Sequence, residues 1–149
     1  MKIYAVVLAC ILAGAFAQED KKEQMQKKWK IIQECGEKHN MKFAHFGDVM
    51  KALDTGSEQI QAVCHCVMKG MGHLGSNDEI LYDEIKKQTC GLEPEKVAAF
   101  VDQCKSEKGA TPAETSYKFT KCFVGHVSKA HQEKKQQKQQ GAQLHLSLY

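Results

Sequence analysis

The sequence predicts an all-α fold of six helices, and three observations lead to that class. Apolar residues recur at helical spacing in successive segments of the chain. Capping residues, first-turn prolines and glycines separate these segments, as at Thr111-Pro112 and at Gly70. No stretch in the body of the chain shows the strict apolar and polar alternation that is typical of strands.

Residues 1–17 have the organisation of a secretory signal peptide and are left out of the fold prediction. A positive start at Met1-Lys2 is followed by an apolar run from Ile3 to Ala13, and Ala15-Phe16-Ala17 resembles a cleavage site before Gln18. The run is shorter than the roughly 18 residues of a membrane span, and no later stretch reaches that length. The sequence therefore predicts a secreted, extracellular protein that does not insert into membranes.

The first two predicted helices lead up to the middle of the chain. Glu19 to Lys30 is charged, and the segment then becomes apolar and reaches Cys35. A second helical pattern runs from Met41 to Leu53 and stops at Asp54-Thr55-Gly56.

The third predicted helix is the centre of the fold. Thr55 and Glu58 have the spacing of a capping box at its start, and Gly70-Met71-Gly72 ends it. Cys66 lies on another side of the helix from Cys64 and faces a different neighbour. The apolar stripe of this helix consists of Ile60, Cys64, Val67, Met68 and Met71.

Three more helices follow. Ser76 and Glu79 repeat the capping-box spacing ahead of a fourth helix that is predicted to close at Cys90-Gly91. Pro94 opens the fifth helix, and Thr111 to Glu114 combine a cap, a first-turn proline and an N3 glutamate for the sixth.

The predicted domain covers residues 18–131, and a Lys- and Gln-rich tail follows over 132–149. Residues 132–143 are too polar to bury much surface, although they could prolong the sixth helix as a polar extension. Residues 144–149 alternate apolar and polar side chains. They are read either as a mobile terminus or as a short extended segment that folds over the mouth of a cavity.

Removing the signal peptide removes Cys10 and leaves six cysteines: Cys35, Cys64, Cys66, Cys90, Cys104 and Cys122. An even count in an exported chain favours disulfides over metal binding, but six cysteines allow 15 pairings and spacing alone does not choose among them. The alternative to disulfides is a metal site at Cys64-His65-Cys66, completed by His73 or Cys90. The two cysteines diverge on a helix and are closer in sequence than is usual for zinc, so no metal is expected.

The composition argues against two broad functions. The 21 basic residues are all Lys, set against 18 acids, whereas a nucleic-acid binder would be expected to use Arg for bidentate contacts. The chain has no Gly-x-Ser-x-Gly elbow, no His-Glu-x-x-His zinc helix and no His-Asp pair. Neither an enzyme nor a cofactor is expected, and nucleic acid is not an expected partner.

With helices and cysteines placed, the chain resembles the insect odorant-binding protein family, which includes the pheromone-binding proteins. The resemblance extends to about His126 and is carried by Cys66 to Gly72, by the 37 residues between Cys66 and Cys104, and by Glu114 to Cys122. It implies a compact six-helix bundle that is stapled by disulfides and encloses an apolar cavity.

The resemblance also implies a disulfide pattern of first cysteine with third, second with fifth, and fourth with sixth. Ala62 and Ala113 stand at the second and fifth family positions, so the chain resembles a subgroup that lacks this bridge. The pairs Cys35 with Cys66 and Cys104 with Cys122 are then retained. The missing bridge would close a loop of about 50 residues and contribute roughly 4 kcal/mol.

Cys64 and Cys90 remain, and three states are open for them. A bridge between them would close a loop of about 26 residues and contribute roughly 3.5 kcal/mol. Alternatively both are free thiols, with Cys64 lining the cavity as a small apolar group, or they form an intermolecular link.

The resemblance implies a secreted carrier that binds and releases small hydrophobic molecules such as odorants, pheromones or similar semiochemicals. Its partners would be that ligand and a membrane receptor for delivery, and its state a monomer or weak dimer. From spacing alone the same apolar residues could equally be ordinary core. The nine candidate cavity residues, with Trp29 at the rim, are Trp29, Leu53, Ile60, Cys64, Met68, Ile80, Val101, Phe119 and Phe123.

Two further interpretations concern regulation and an alternative function. If release depends on pH, His73 near the loop after the third helix and His126 on the last helix are the expected switch residues. The alternative function is a secreted gland or venom interaction protein that uses the scaffold without a ligand cavity.

Overall fold

A computed structural model describes residues 22–88 and 90–147 of the chain. The predicted signal peptide and the last two residues of the tail lie outside these ranges. The helices are α1 (22–38), α2 (Phe46–Thr55), α3 (Glu58–Gly70), α4 (Tyr82–Lys86), α5 (Pro94–Cys104) and α6 (Pro112–Ser147). The described residues contain no strand, and only an isolated bridge pairs Leu74 with Ile80. The predicted all-α, six-helix class is confirmed.

Helix α3 occupies the centre, as its apolar stripe predicts. It packs along α6, while α2 packs on α3, α5 on α6 and α4 on α5. Disulfides join Cys35 at the end of α1 to Cys66 on α3, and Cys104 at the end of α5 to Cys122 on α6. Both pairs implied by the family resemblance are confirmed.

The described residues form three apolar clusters. The first lies where α1, α2 and α3 meet and includes Leu53 and Ile60. The second joins α3, α5 and α6 through residues such as Val101 and Phe119. The third attaches α5 to the middle of α6, where Ala130 is buried. Because Ala130 is buried, the packed part of α6 extends beyond the last family motif.

The cap of α3 differs from the prediction. Thr55 belongs to the last turn of α2, where its hydroxyl donates to the Ala52 carbonyl oxygen at 2.7 Å. Gly56 then ends α2 with a left-handed φ of 63°. The cap is Ser57, whose hydroxyl oxygen accepts from the Ile60 amide at 3.3 Å. Because α2 ends at Gly56, the N-cap of α3 is Ser57, two residues after the predicted cap Thr55.

Helix α4 is shorter than predicted at both ends. The Leu81 amide donates to the His73 carbonyl oxygen, and the Gly75 amide donates to the Glu79 carbonyl oxygen, each at 2.8 Å. These bonds hold residues 73–81 in a closed loop, so the helix begins at Tyr82 and not after Ser76. Glu79 serves this loop, because its carboxylate accepts from the Asn77 amide at 2.8 Å.

Helix α2 also begins later than Met41. The Met41 amide donates back to the Gly36 carbonyl oxygen at 2.8 Å, and Asn40 has a positive φ of 59°. This turn closes α1 and keeps the chain non-helical until Phe46. At the new start, the Asp48 carboxylate accepts from the Ala44 amide at 3.0 Å.

The start of α6 is as predicted, and its end lies far into the tail. The Thr111 hydroxyl accepts from the Glu114 amide at 3.1 Å, and the Glu114 carboxylate accepts from the Ala110 amide at 3.0 Å. Helix α6 continues to Ser147, so residues 144–147 are helical and not extended. Contacts with the loop before α5 reach as far as Lys134, which donates to the Gly91 carbonyl oxygen at 3.2 Å.

Candidate ligand-binding cavity

A cavity of about 200 Å³ lies inside the bundle and is lined almost entirely by apolar atoms. Helices α2, α3 and α6 form most of its wall, α1 contributes Ile32, and α4 with the segments on either side of it contributes the rest. Phe46 lines the cavity and is 51% exposed, which places an opening beside the start of α2. The wall consists of Ile32, Phe46, Val49, Leu53, Ile60, Val63, Cys64, Val67, Met68, Met71, His73, Ile85, Gln88, Cys90, Phe119, Thr120, Phe123 and Val124.

Six of the nine candidate residues line this cavity. They are Leu53, Ile60, Cys64, Met68, Phe119 and Phe123.

The other three candidates lie in the neighbouring core. Trp29 packs against the first cluster from α1, and Ile80 packs against the second cluster from the loop before α4. Val101 is fully buried in that second cluster. They are apolar as predicted, but the packing of α1, α4 and α5 leaves them outside the cavity wall.

The wall also contains residues that the sequence analysis did not select. Val67 and Met71 belong to the predicted stripe of α3, and Val124 follows Phe123 on α6. For Val67 and Met71, the helical spacing of the stripe was a usable signal. Gln88 lies between helices, where periodicity gives no signal at all.

Cys64 and Cys90 are free thiols that face the same cavity, so the extra bridge considered above is not formed. The predicted bridge assumed a fourth helix that ends at Cys90. Because α4 ends at Lys86, Cys90 lies instead in the loop before α5. Its carbonyl oxygen accepts from the ring nitrogen Nε2 of His131 at 2.7 Å, which ties this loop to α6.

Burial keeps both thiols protonated. It raises the pKa of the Cys64 thiol to about 12, against the opposing effect of a hydrogen bond with the Thr120 side chain. Burial also raises the pKa of Cys90, and the nearby charge of Lys28 partly opposes the shift. Since the thiolate is the nucleophile and the metal ligand, Cys64 acts near neutral pH as a small apolar wall group.

Two residues of the candidate metal site are engaged elsewhere. Cys66 is in a disulfide, and His65 Nε2 lies 3.2 Å from a carboxylate oxygen of Asp78. A second group brings His126 near Cys104 and Cys122, but these two sulfurs are bonded to each other. Sulfur atoms joined in a disulfide are not available as thiolate ligands.

The two histidines predicted as switch residues have different surroundings. His73 lines the cavity and is 8% exposed, and its Nε2 has no hydrogen-bond partner among the described residues. Burial lowers the pKa of His73, the charge of Lys28 lowers it further, and Glu84 opposes both effects. His126 is not part of the cavity wall and stacks on Phe100, with ring centres 5.1 Å apart.

The described residues also contain a hollow beside the Cys104–Cys122 disulfide, lined by Tyr117, Lys118, Lys121 and Glu107 among others. It is more open to solvent than the internal cavity, and charged side chains line it. The internal cavity is therefore the better site for an apolar ligand.

Among the described residues, no helix has the length and apolar character that crossing a membrane would require.

Comparison with known proteins agrees with the fold. No curated protein matches the chain in sequence. Two solved structures are similar at 20% identity: fatty acid binding protein OBP56a from the oral disk of the blowfly Phormia regina, and odorant-binding protein dmelOBP28a from Drosophila melanogaster. The alignment with the blowfly protein covers 72% of this chain and 94% of the blowfly chain, with a TM-score of 0.51. The alignment with the Drosophila protein covers 74% of this chain and 97% of the Drosophila chain, with a TM-score of 0.54.

The sequence pattern of the PBP/GOBP family matches residues 17–126, which include all six helices up to the middle of α6 and both disulfides. The chain belongs to the PBP/GOBP family.

Proposed function

We propose that this protein is a secreted carrier that binds small hydrophobic molecules, such as odorants, pheromones or similar semiochemicals, in the internal cavity and releases them. The observation that carries the proposal is the apolar cavity between α2, α3 and α6. The two structural neighbours are named as a fatty acid binding and an odorant-binding protein, which supports a ligand of this kind. Secretion, delivery to a membrane receptor and a monomeric or weakly dimeric state complete the proposal and rest on the family.

The cavity volume sets the size of the ligand. A linear hydrocarbon chain can gain affinity by lengthening only until it fills this space of about 200 Å³. Each methylene moved out of water contributes about 0.8 kcal/mol, which is about a fourfold gain in affinity. Affinity for linear alcohols should therefore rise about fourfold per carbon and stop rising once the chain fills the cavity.

Displacement of the fluorescent probe N-phenylnaphthylamine by this alcohol series tests the proposal. Val124→Phe, which fills the cavity from α6, should weaken binding by at least tenfold. Val127→Phe is the matched control, because Val127 lies on the same helix and is half-buried in the third cluster, outside the cavity wall. If the folded protein takes up neither probe nor alcohol, the carrier proposal fails and the interaction protein remains.

We propose further that uncharged ligands are released on acidification through His73. Because burial holds the pKa of folded His73 below its ordinary value of 6.5, the unfolded chain takes up a proton more readily. The folded cavity is therefore fully stable above about pH 6.5 and loses stability as the pH falls below that value. The charged groups that act on the ring are Lys28 from α1 and Glu84 from α4, and the Cys90 thiol lines the same cavity.

The test compares probe affinity at about pH 7 and about pH 5. We expect weaker binding at the lower pH in the unmodified protein and a smaller change in His73→Phe. His126→Phe is the control, since His126 lies outside the cavity wall. Equal pH dependence in all three proteins contradicts the proposed role of His73.

A further inference from the structure

The last part of α6 lies beyond the cavity and beyond the packed core of the described residues. The last residue that α6 gives to the cavity wall is Val124, and the last that it gives to the third cluster is Ala130. Lys134 then contacts the loop before α5, where its ammonium group donates to the Gly91 carbonyl oxygen. Residues 135–147 form the rest of the helix and are called the extension below.

Neither packing nor ion pairs stabilise most of the extension. Every residue from Lys135 to Leu144 is exposed, so this stretch has no buried face. The side chains of residues 135–143 form no hydrogen bond or ion pair with any part of the chain that the structure describes. Glu133 is the last acid in the sequence, so the Glu–Lys pairs that stabilise isolated helices cannot form within the extension. Such a helix opens at a low cost in free energy.

Two kinds of reactive side chain are concentrated in this exposed stretch. Residues 135–143 contain five glutamines and two lysines. The lysines, Lys135 and Lys138, have no acidic partner among the described residues, so their amines are accessible. A glutamine carboxamide and a lysine amine are the two reactants that form an isopeptide bond. The glutamines are Gln136, Gln137, Gln139, Gln140 and Gln143.

We propose that the extension is an acyl-donor site for an extracellular transamidating enzyme, which links this chain to a lysine of a second copy. The cysteine thiolate of the enzyme attacks Cδ of a glutamine, the bond between Cδ and Nε2 breaks, and the nitrogen takes up a proton and leaves as ammonia. The neutral Nζ of a lysine then attacks the thioester. An amide bond forms, the amine loses a proton, and the thiolate is released. The reaction involves no oxidation or reduction and releases one ammonia for each bond.

The ease of opening distinguishes the extension from other exposed glutamines. An enzyme that binds its substrate as an extended segment requires the backbone to leave the helix. Gln103 is exposed on α5, but opening α5 would expose Val97 and Val101, which are both fully buried. Opening the extension would expose no member of the three apolar clusters. The inference goes beyond the carrier function, because a link through the extension leaves the cavity wall untouched.

The test incubates the full chain with a calcium-dependent transglutaminase and the amine probe monodansylcadaverine, and maps the label by peptide mass spectrometry. We expect at least about tenfold more label on the glutamines of the extension than on Gln103, because only α5 must lose core packing to react. Without the probe, the same incubation should give a ladder of covalent dimers and larger species on a denaturing gel.

Two variants check the assignment. Replacing the five glutamines of the extension by asparagine removes the acyl donors and keeps the segment polar, and this variant should form no ladder. Gln59→Asn combined with Gln103→Asn is the matched control, because both glutamines are exposed but belong to packed helices. The control should form the same ladder as the unmodified protein.

Three results would overturn the inference. The first is equal label on Gln103 and on the extension, or no label at all. The second is label on the extension in a protein that stays monomeric without the probe, which contradicts the link to a second copy. The third is a ladder that persists after the five glutamines are replaced. None of these readouts depends on ligand binding, so a failure of the carrier proposal is detected separately by probe displacement.

Discussion

Replacing Phe119 by alanine tests whether the aromatic wall of the cavity also holds the core together. Phe119 is only 2% exposed and belongs to the second cluster as well as to the cavity wall. Its ring is stacked with Phe123 at a centroid distance of 5.9 Å and meets Tyr82 edge-on at 5.6 Å. One side chain thus connects α6 to the loop and helix around Tyr82.

The expected loss follows from these contacts. Truncating a buried phenylalanine to alanine costs about 3 to 5 kcal/mol, and each aromatic pair contributes about 0.5 to 1.5 kcal/mol beyond the buried area. Because Phe119 has two ring partners, Phe119→Ala should lower the free energy of unfolding by about 4 kcal/mol. That is a large part of the roughly 5 to 15 kcal/mol that stabilises a domain.

The assay is urea unfolding followed by circular dichroism, with the disulfides intact. Phe46→Ala is the matched control, because Phe46 also lines the cavity but is 51% exposed and should lose only about 1 kcal/mol. If Phe119→Ala is too unstable to purify, Phe119→Leu should lose about 1.5 kcal/mol. Losses of similar size for Phe119→Ala and Phe46→Ala would refute the packing described here.

Three further predictions use the same unfolding assay or a thiol label. Tyr117→Phe removes the hydrogen bond that the Tyr117 hydroxyl donates to the buried Leu53 carbonyl oxygen at 2.6 Å, and should cost about 1.5 kcal/mol; no loss would mean that water replaces the bond. Gly56→Ala should cost about 1 to 2 kcal/mol, because φ is 63° and a new Cβ would lie 3.2 Å from the Tyr117 hydroxyl. Gly125→Ala is its control and should gain about 0.5 to 1 kcal/mol, since nothing lies within 4 Å of its Cβ position on α6; a gain at Gly56 would contradict the turn. The Cys64 thiol, with a pKa raised to about 12 by burial, should react with iodoacetamide only after denaturation, as intact mass would show; rapid labelling of the folded protein would contradict its burial.

The local part of the prediction was correct where a signal and its partner lie within one helical turn. The cap formed by Thr111 and Glu114 is present because both residues belong to the same turn. The same pattern failed at Thr55 and at Ser76. In both places a backbone hydrogen bond or a left-handed glycine from an adjacent segment decided where the helix could begin.

The cysteine pairing also could not be predicted from local sequence patterns. Spacing left the pairing open, and the family resemblance supplied Cys35 with Cys66 and Cys104 with Cys122, both of which are present. The state of Cys64 and Cys90 depended on the length of α4. That helix ends at Lys86, so Cys90 lies in the loop before α5, and both thiols are free.

The sequence by itself determined the all-α class, the six helical segments and the apolar stripe of α3 that became the main wall of the cavity. Helical periodicity is a local property, so it can be read without knowing the neighbours of a helix. Only the tertiary structure decided that Val101 lies in the core beside the cavity and that Lys28 on α1 donates a hydrogen bond to Gln88 in the cavity wall. Those positions depend on how all the helices pack at once, because side chains from distant segments become neighbours only when the bundle closes.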